Sequence, residues 1–168
     1  VVDPLGQATY HAYDALDRQT NRTDPLGATT TFQYDARGNR TVLEDALGNA
    51  TYYAYDALSR VESVTDALGA SEYYAYDLAG NLRAFADADG GTTHYAYDAL
   101  SRRTAAAYPH DGANYFAYDA VGNRTGAQDA RGWTYYAYDA LDRLTRETAP
   151  DGVETAHAYD ARGNRLSV

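Results

Sequence analysis

Carboxylates have the most chemistry to offer in this sequence, because they recur in phase. An Asp follows a Tyr at Asp14, Asp35, Asp56, Asp77, Asp98, Asp119, Asp139 and Asp160, at intervals of 21 residues with a single interval of 20. A second Asp heads an Asp-x-x-Gly sequence at Asp3, Asp24, Asp45, Asp66, Asp87 and Asp129. Paired carboxylates do acid–base work only when held within a few ångströms of each other in surroundings that separate their pKa values. Stacked acidic loops collect Ca²⁺ when each loop supplies several oxygens. Here a single Asp heads each turn, so the reading is an Asp that caps its own backbone, with no metal site. His11, His94, His110 and His157 fall in units too far apart to converge on one ion. Cysteine is absent, which removes thiol nucleophiles and thiolate sites. The glycines belong to turns that no helix follows, so they cannot cradle a phosphate at a helix start. These residue types point to a non-enzymatic chain with no catalytic residues and no cofactor.

The elements that place these residues follow from the period. Eight Tyr-Asp copies fill residues 1–168 as a single repeat array, and a unit of this length cannot bury a core without stacking on its neighbours. Asp first, Pro second and Gly fourth, as in Asp24-Pro25-Leu26-Gly27, is a type I turn signature. The turn after the repeat Tyr alternates. One form is Asp-x-x-Gly-Asn with Gly38, Gly80, Gly122 and Gly163, and the other is Asp-Ala-Leu-Ser/Asp-Arg. Because glycine accepts positive φ readily, the two forms are expected to differ in backbone shape.

Between the turns run segments of strand length. The first carries an aromatic residue or His two places before each repeat Tyr, at His11, Phe32, Tyr53, Tyr74, Tyr95, Phe116, Tyr136 and His157, giving one aromatic face. Tyr with small Ala occupies the other face. The second run holds most of the Arg and is expected to face solvent. No window has helical spacing. The expected fold is all-β, with tandem 21-residue β-hairpins, paired into units of about 42 residues by the loop alternation, stacked as a continuous antiparallel spiral sheet or β-solenoid. The spine of this sheet is Tyr13, Tyr34, Tyr55, Tyr76, Tyr97, Tyr118, Tyr138 and Tyr159. The 20-residue interval is expected to change the register or twist locally.

The formal net charge of −10 repels phosphate backbones and anionic lipid, which argues against nucleic acid and membrane surfaces as partners. No apolar run approaches the roughly 18 residues that span a bilayer. The chain opens at Val1 and stops at Val168 within the repeat pattern, so it reads as a window of a longer polypeptide. Absence of Cys and Met suits a secreted or cell-surface setting. Asn21, Asn39, Asn49 and Asn123 match the Asn-x-Thr acceptor pattern for glycosylation, three of them through the wording of the repeat itself.

Tyr34-Asp35-Ala36-Arg37-Gly38-Asn39-Arg40 and Asp24-Pro25-Leu26-Gly27, repeated in phase along the whole chain, resemble the YD-repeat, or Rhs, family. The resemblance implies a large secreted or surface protein whose hairpin sheets in some members spiral into a shell around a toxic C-terminal domain. It also implies partners in further YD repeats of the same or neighbouring chains. Regular junctions favour an extracellular fibre or stalk, with a toxin shell as the alternative. A Tyr-dense surface also makes surface glycans candidate partners of an adhesin. Some family members resemble self-cleaving aspartyl proteases through two Asp-Pro-x-Gly motifs one repeat apart. Asp3 and Asp24 match that motif superficially but read as ordinary turns.

Overall fold

The computed structural model describes residues 1, 2, 4 and 6–166. Asp3 and Leu5 of the first turn, and Val168, lie outside the described residues. The strands are β1 Tyr10–Tyr13, β2 Gln19–Thr23, β3 Thr29–Tyr34, β4 Arg40–Glu44, β5 Ala50–Tyr55, β6 Val61–Thr65, β7 Ser71–Tyr76, β8 Leu82–Ala86 and β9 Thr92–Tyr97. They continue as β10 Arg103–Tyr108, β11 Gly112–Tyr118, β12 Arg124–Asp129, β13 Gly132–Tyr138, β14 Leu144–Thr148, β15 Glu154–Ala156, β16 Ala158–Tyr159 and β17 Arg165–Leu166. The fold is all-β, built of tandem antiparallel hairpins, with no helix among the described residues.

Two compact units are present: Val1–Ala75 with Phe85–Gly91, and Tyr76–Ala84 with Thr92–Val168. In the first, β1 to β7 pair antiparallel in consecutive order, β1 with β2 through β6 with β7. In the second, β9 to β15 do the same, and β16 and β17 form a separate hairpin. Because each strand pairs with its sequence neighbour, every hydrogen-bonded ladder closes over a short loop.

Both kinds of turn have one backbone shape. At Asp24, Asp35 and Asp56 alike, the Asp N–H bonds to the carbonyl of the fourth residue on, and the third residue on donates back to the Asp carbonyl. This is a type I turn closed by a left-handed residue. The expected difference between the alternating loops does not occur. Asp17, Ser59, Ser101 and Asp142 take φ of 58°, 61°, 60° and 59°, the left-handed region that Gly38 and Gly80 also occupy. The closing residue must be left-handed whatever its side chain, and Ser and Asp bear the strain.

The repeat Tyr marks a β-bulge. Tyr34 pairs with Arg40 while Gln33 pairs with Val42, leaving Thr41 as the extra residue. The same shift recurs beside Tyr13, Tyr55, Tyr118 and Tyr138. A bulge moves alternate side chains to opposite faces, so Arg40 joins the aromatic face and Val42 the other. Expectation placed the Arg-bearing run toward solvent. Arg22, Arg83, Arg103, Arg124 and Arg146 of these strands are exposed, as expected. Arg40 is half-buried, and its guanidinium carbon lies 6.0 Å from the Phe32 ring centre and 5.2 Å from that of Tyr53. Arg103 likewise sits 5.8 Å from Tyr95 and 5.4 Å from Phe116. Cation–π contact lets a charged side chain fill the space between rings on a half-covered face.

The 20-residue interval changes the loop and leaves the register alone. Asp129 pairs with Gly132 across a two-residue turn, yet Gly126 still pairs with Tyr135, as Val42 pairs with Tyr52. One residue lost from a loop costs less than a slip that would turn every side chain to the wrong face. Among the described residues the only fully buried apolar side chain is Ala106. The aromatic face is therefore half-covered, and the hairpins hold together through ladders, ring contacts and loops more than through a closed core.

Candidate functional site

The recurring site is the junction between successive hairpins, and it is built by the Tyr and Asp of the repeat. The Tyr34 hydroxyl donates to the Gln19 carbonyl at 2.9 Å, one hairpin back. Tyr55 donates to Arg40 at 2.9 Å, Tyr118 to Arg103 at 3.0 Å, Tyr138 to Arg124 at 2.9 Å and Tyr159 to Leu144 at 2.8 Å. Each acceptor stands at the step where the bulge interrupts the ladder, so the phenol satisfies a carbonyl that the neighbouring strand no longer can. Tyr13, in the first strand, is 58% exposed. Burial raises the phenol pKa of Tyr55, Tyr97 and Tyr138, with nearby Arg opposing it.

Asp organises the loop. Asp56 Oδ1 accepts the N–H groups of Leu58 at 2.8 Å and Arg60 at 3.0 Å, and Oδ2 accepts Arg60 Nε at 2.7 Å. Asp35 Oδ1 accepts from Arg37 and Asn39, each at 2.9 Å, while Asn39 Nδ2 takes Oδ2 at 2.8 Å. The side-chain hydrogen bond from Arg60 holds the Asp56 carboxyl below its ordinary value, and that from Asn39 does so for Asp35. Asp77, Asp139 and Asp160 are lowered for the same first reason, by Asn81, Arg143 and Asn164. Asp14, Asp98 and Asp119 are lowered as well.

Alternation matters in the side chains. An Arg-type loop reaches forward to the next Asp backbone: Arg18 Nη1 donates to the Asp35 carbonyl at 2.9 Å and Arg102 Nη1 to that of Asp119 at 2.8 Å. The same guanidinium groups lie 4.9 Å from the Tyr34 ring centre and 4.8 Å from that of Tyr118. An Asn-type loop reaches to the strained residue of the next loop. Asn39 Nδ2 donates to Ser59 Oγ at 3.1 Å, and Asn123 Nδ2 to Asp142 Oδ1 at 2.7 Å. At Ser59 and Asp142 this bond offsets part of the left-handed strain. Neither these loop-to-loop bonds nor the Tyr-to-carbonyl bonds was visible in sequence; the bulge that makes the latter possible leaves no residue signature of its own.

Gly38, Gly80, Gly122 and Gly163 close the Asn-type loops at positive φ. Of the acceptor-pattern residues, Asn39, Asn49 and Asn123 spend their amide nitrogens on Asp35, Asp45 and Asp119. Asn21 lies in β2 and donates to Thr31 Oγ1 at 3.3 Å. Asp24 Oδ1 accepts from Leu26 and Ala28, each at 2.9 Å, which is the turn role expected of it. Among the described residues no three His, Asp or Glu side chains gather in a metal-binding group. His11 Nδ1 meets Gln19 Oε1 at 3.2 Å. A shallow cleft of about 470 Å³ beside the shortened loop is lined by Arg131, Thr134, Glu147 and Pro150.

A chain of bulged hairpins, stitched at five repeat Tyr by a phenol and at Arg18, Asn39, Arg102 and Asn123 by a loop side chain, is a repeat scaffold. The RHS Repeat family profile matches residues 1–29, 13–50, 76–113, 118–154 and 138–168, and the chain belongs to that family. No curated protein sequence matches it. Solved structures share the fold. The crystal structure of TcdB2-TccC3-Cdc42 aligns with a TM-score of 0.57 at 15% identity, covering 94% of this chain and 11% of that one. TcdB2-TccC3 without its hypervariable C-terminal region aligns at 0.56 and 15%, with the same coverage. The Tc holotoxin pore of Photorhabdus luminescens aligns at 0.50 and 14%, covering 94% of this chain and 13% of that one. This chain thus spans a small part of the length of these structures.

Proposed function

We propose that the chain is a non-enzymatic structural segment of a secreted or cell-surface protein, and that it serves in an extracellular fibre or stalk built from YD repeats. The observation that carries this reading is the repeated junction. At Tyr34, Tyr55, Tyr118, Tyr138 and Tyr159 the phenol of one hairpin donates to the bulge carbonyl of the one before it. Like junctions impose like rotations, and a structure of that kind extends by adding units. Its partners are further YD repeats of the same or neighbouring chains, without nucleic acid and without insertion into a membrane. The carboxylates of the Tyr-Asp motif support the non-enzymatic part, because the loops that carry them occupy them with their own N–H and side-chain groups.

A second reading, the wall of a shell around a C-terminal toxin, is favoured by the Tc toxin structures that share the fold. Electron microscopy of the native full-length material, with mass per unit length, separates the two. A uniform filament whose axial rise fits a whole number of hairpins supports the fibre. Closed hollow particles of fixed size refute it in favour of the shell.

A further inference from the structure

The repeats act as controls for one another, so the unit that departs from their pattern marks a place where the fold carries something besides stacking. One such departure lies around β12 and β13. Trp133 is the only Trp of the chain, and equivalent places in the other units hold Ala8, Thr29, Ala50, Ser71, Thr92, Ala113 and Glu154. Gly126 replaces the Asn21, Val42, Ser63 and Ala105 of other units, and the loop between the two residues is the shortened one.

These changes fit together physically. A Cβ on Gly126 would lie 2.9 Å from the Trp133 Cζ3 and 3.1 Å from its Cε3, so the indole is pressed against bare backbone. Tyr135 lies near-parallel to it, with ring centres 5.9 Å apart and planes at 15°. Tyr135 is 56% exposed and belongs to the open face of the sheet. Residues directly opposite in an antiparallel pair share a face. That places Gln128 beside Trp133, Thr148 beside Tyr135, and Arg146 and Glu154 next along the same surface. Arg146 Nη1 and Glu154 Oε1 are 3.6 Å apart, and Thr148 Oγ1 is 3.4 Å from the same Glu oxygen. The charges offset each other, while an amide, a hydroxyl, a guanidinium and a carboxylate leave both donors and acceptors on the rim.

We propose that Trp133 and Tyr135 form a stacking platform for a neutral hexopyranoside chain, with Gln128, Thr148, Arg146 and Glu154 bonding its hydroxyls. The π faces attract the weakly positive C–H groups on the flat side of a pyranose ring, and the balanced rim charge selects a neutral ligand over an acidic one. This goes beyond the scaffold reading and does not depend on the fibre or the shell.

Trp133 is its own probe. Cellohexaose and chitohexaose are titrated into the 168-residue chain while indole fluorescence and binding heat are followed. At least one sugar should give a saturable change. Trp133→Ala should weaken binding about tenfold or more, as loss of one ring stack predicts. Gly126→Ala should weaken it by lifting the indole, and Trp133→Tyr should retain most of it. Tyr52→Ala and Tyr73→Ala, on the same face of unaltered repeats, should leave it unchanged. Far-UV circular dichroism confirms that each variant keeps its sheet. No saturable response to either sugar overturns the proposal, as does undiminished binding by folded Trp133→Ala. So does a response to a polyproline peptide with none to the sugars.

Discussion

Replacing Tyr55 by Phe isolates one stitch between hairpins. The substitution keeps the ring on the aromatic face and removes only the hydroxyl, which donates to the Arg40 carbonyl at 2.9 Å. A neutral hydrogen bond of this kind contributes about 0.5–1.5 kcal/mol net. The carbonyl left behind sits on a half-covered face that water can reach, so the cost should fall near the middle of that range, about 1 kcal/mol. Tyr55→Ala also strips the ring from its partial cover. A fully buried ring would cost about 3–5 kcal/mol. The ring is only half-buried here, so about 2–3 kcal/mol is the better figure. Tyr52→Phe, on the exposed face, supplies the control and should cost close to nothing. Urea unfolding followed by circular dichroism measures all three at constant m. If Tyr55→Phe and Tyr52→Phe agree within about 0.3 kcal/mol, the phenol is not a stitch and the account of the repeat Tyr is wrong.

Ser101 occupies left-handed backbone at φ 60°, so Ser101→Gly should stabilise the chain by roughly 0.5–1 kcal/mol, read from the urea midpoint; a loss would refute the strain argument. Gly80→Val should cost more than Ser59→Val, because Ser59 already bears the left-handed strain that valine would newly impose at Gly80; equal costs would contradict this. Arg103→Met should lose about 1 kcal/mol from the ring contacts with Tyr95 and Phe116, and an unchanged midpoint would show that the guanidinium packs there without attraction. Bonds from Asn39, Arg60, Asn81, Arg143 and Asn164 depress the loop carboxylates relative to the unfolded chain. Their contribution is therefore complete above the unfolded carboxylate pKa and fades as pH falls through the folded values. Urea midpoints taken from neutral to strongly acid pH should decline only below the ordinary carboxylate range; a midpoint that holds constant there would contradict the capping role.

Period, turn positions and the all-β class were legible because they rest on local chemistry. Asp, Pro and Gly at set places dictate a turn, and aromatic residues two apart dictate a face, whatever lies nearby. The Tyr-Asp motif was legible as the organising element for the same reason, although its Asp role followed from chemistry and its Tyr role did not. What the phenol bonds to, where Arg40 and Arg103 go, and how a 20-residue interval is absorbed depend on a bulge and a loop length. Those are settled by pairing between strands, which no short window of residues contains. The same holds for the alternating loops. Residue preferences predicted two backbone shapes, but hairpin closure demanded one, and the alternation was left to express itself in which neighbour Asn39 or Arg18 could reach. Sequence alone thus determined the unit and its edges, since both are local. The tertiary structure decided how one unit holds the next, since that requires two units in contact.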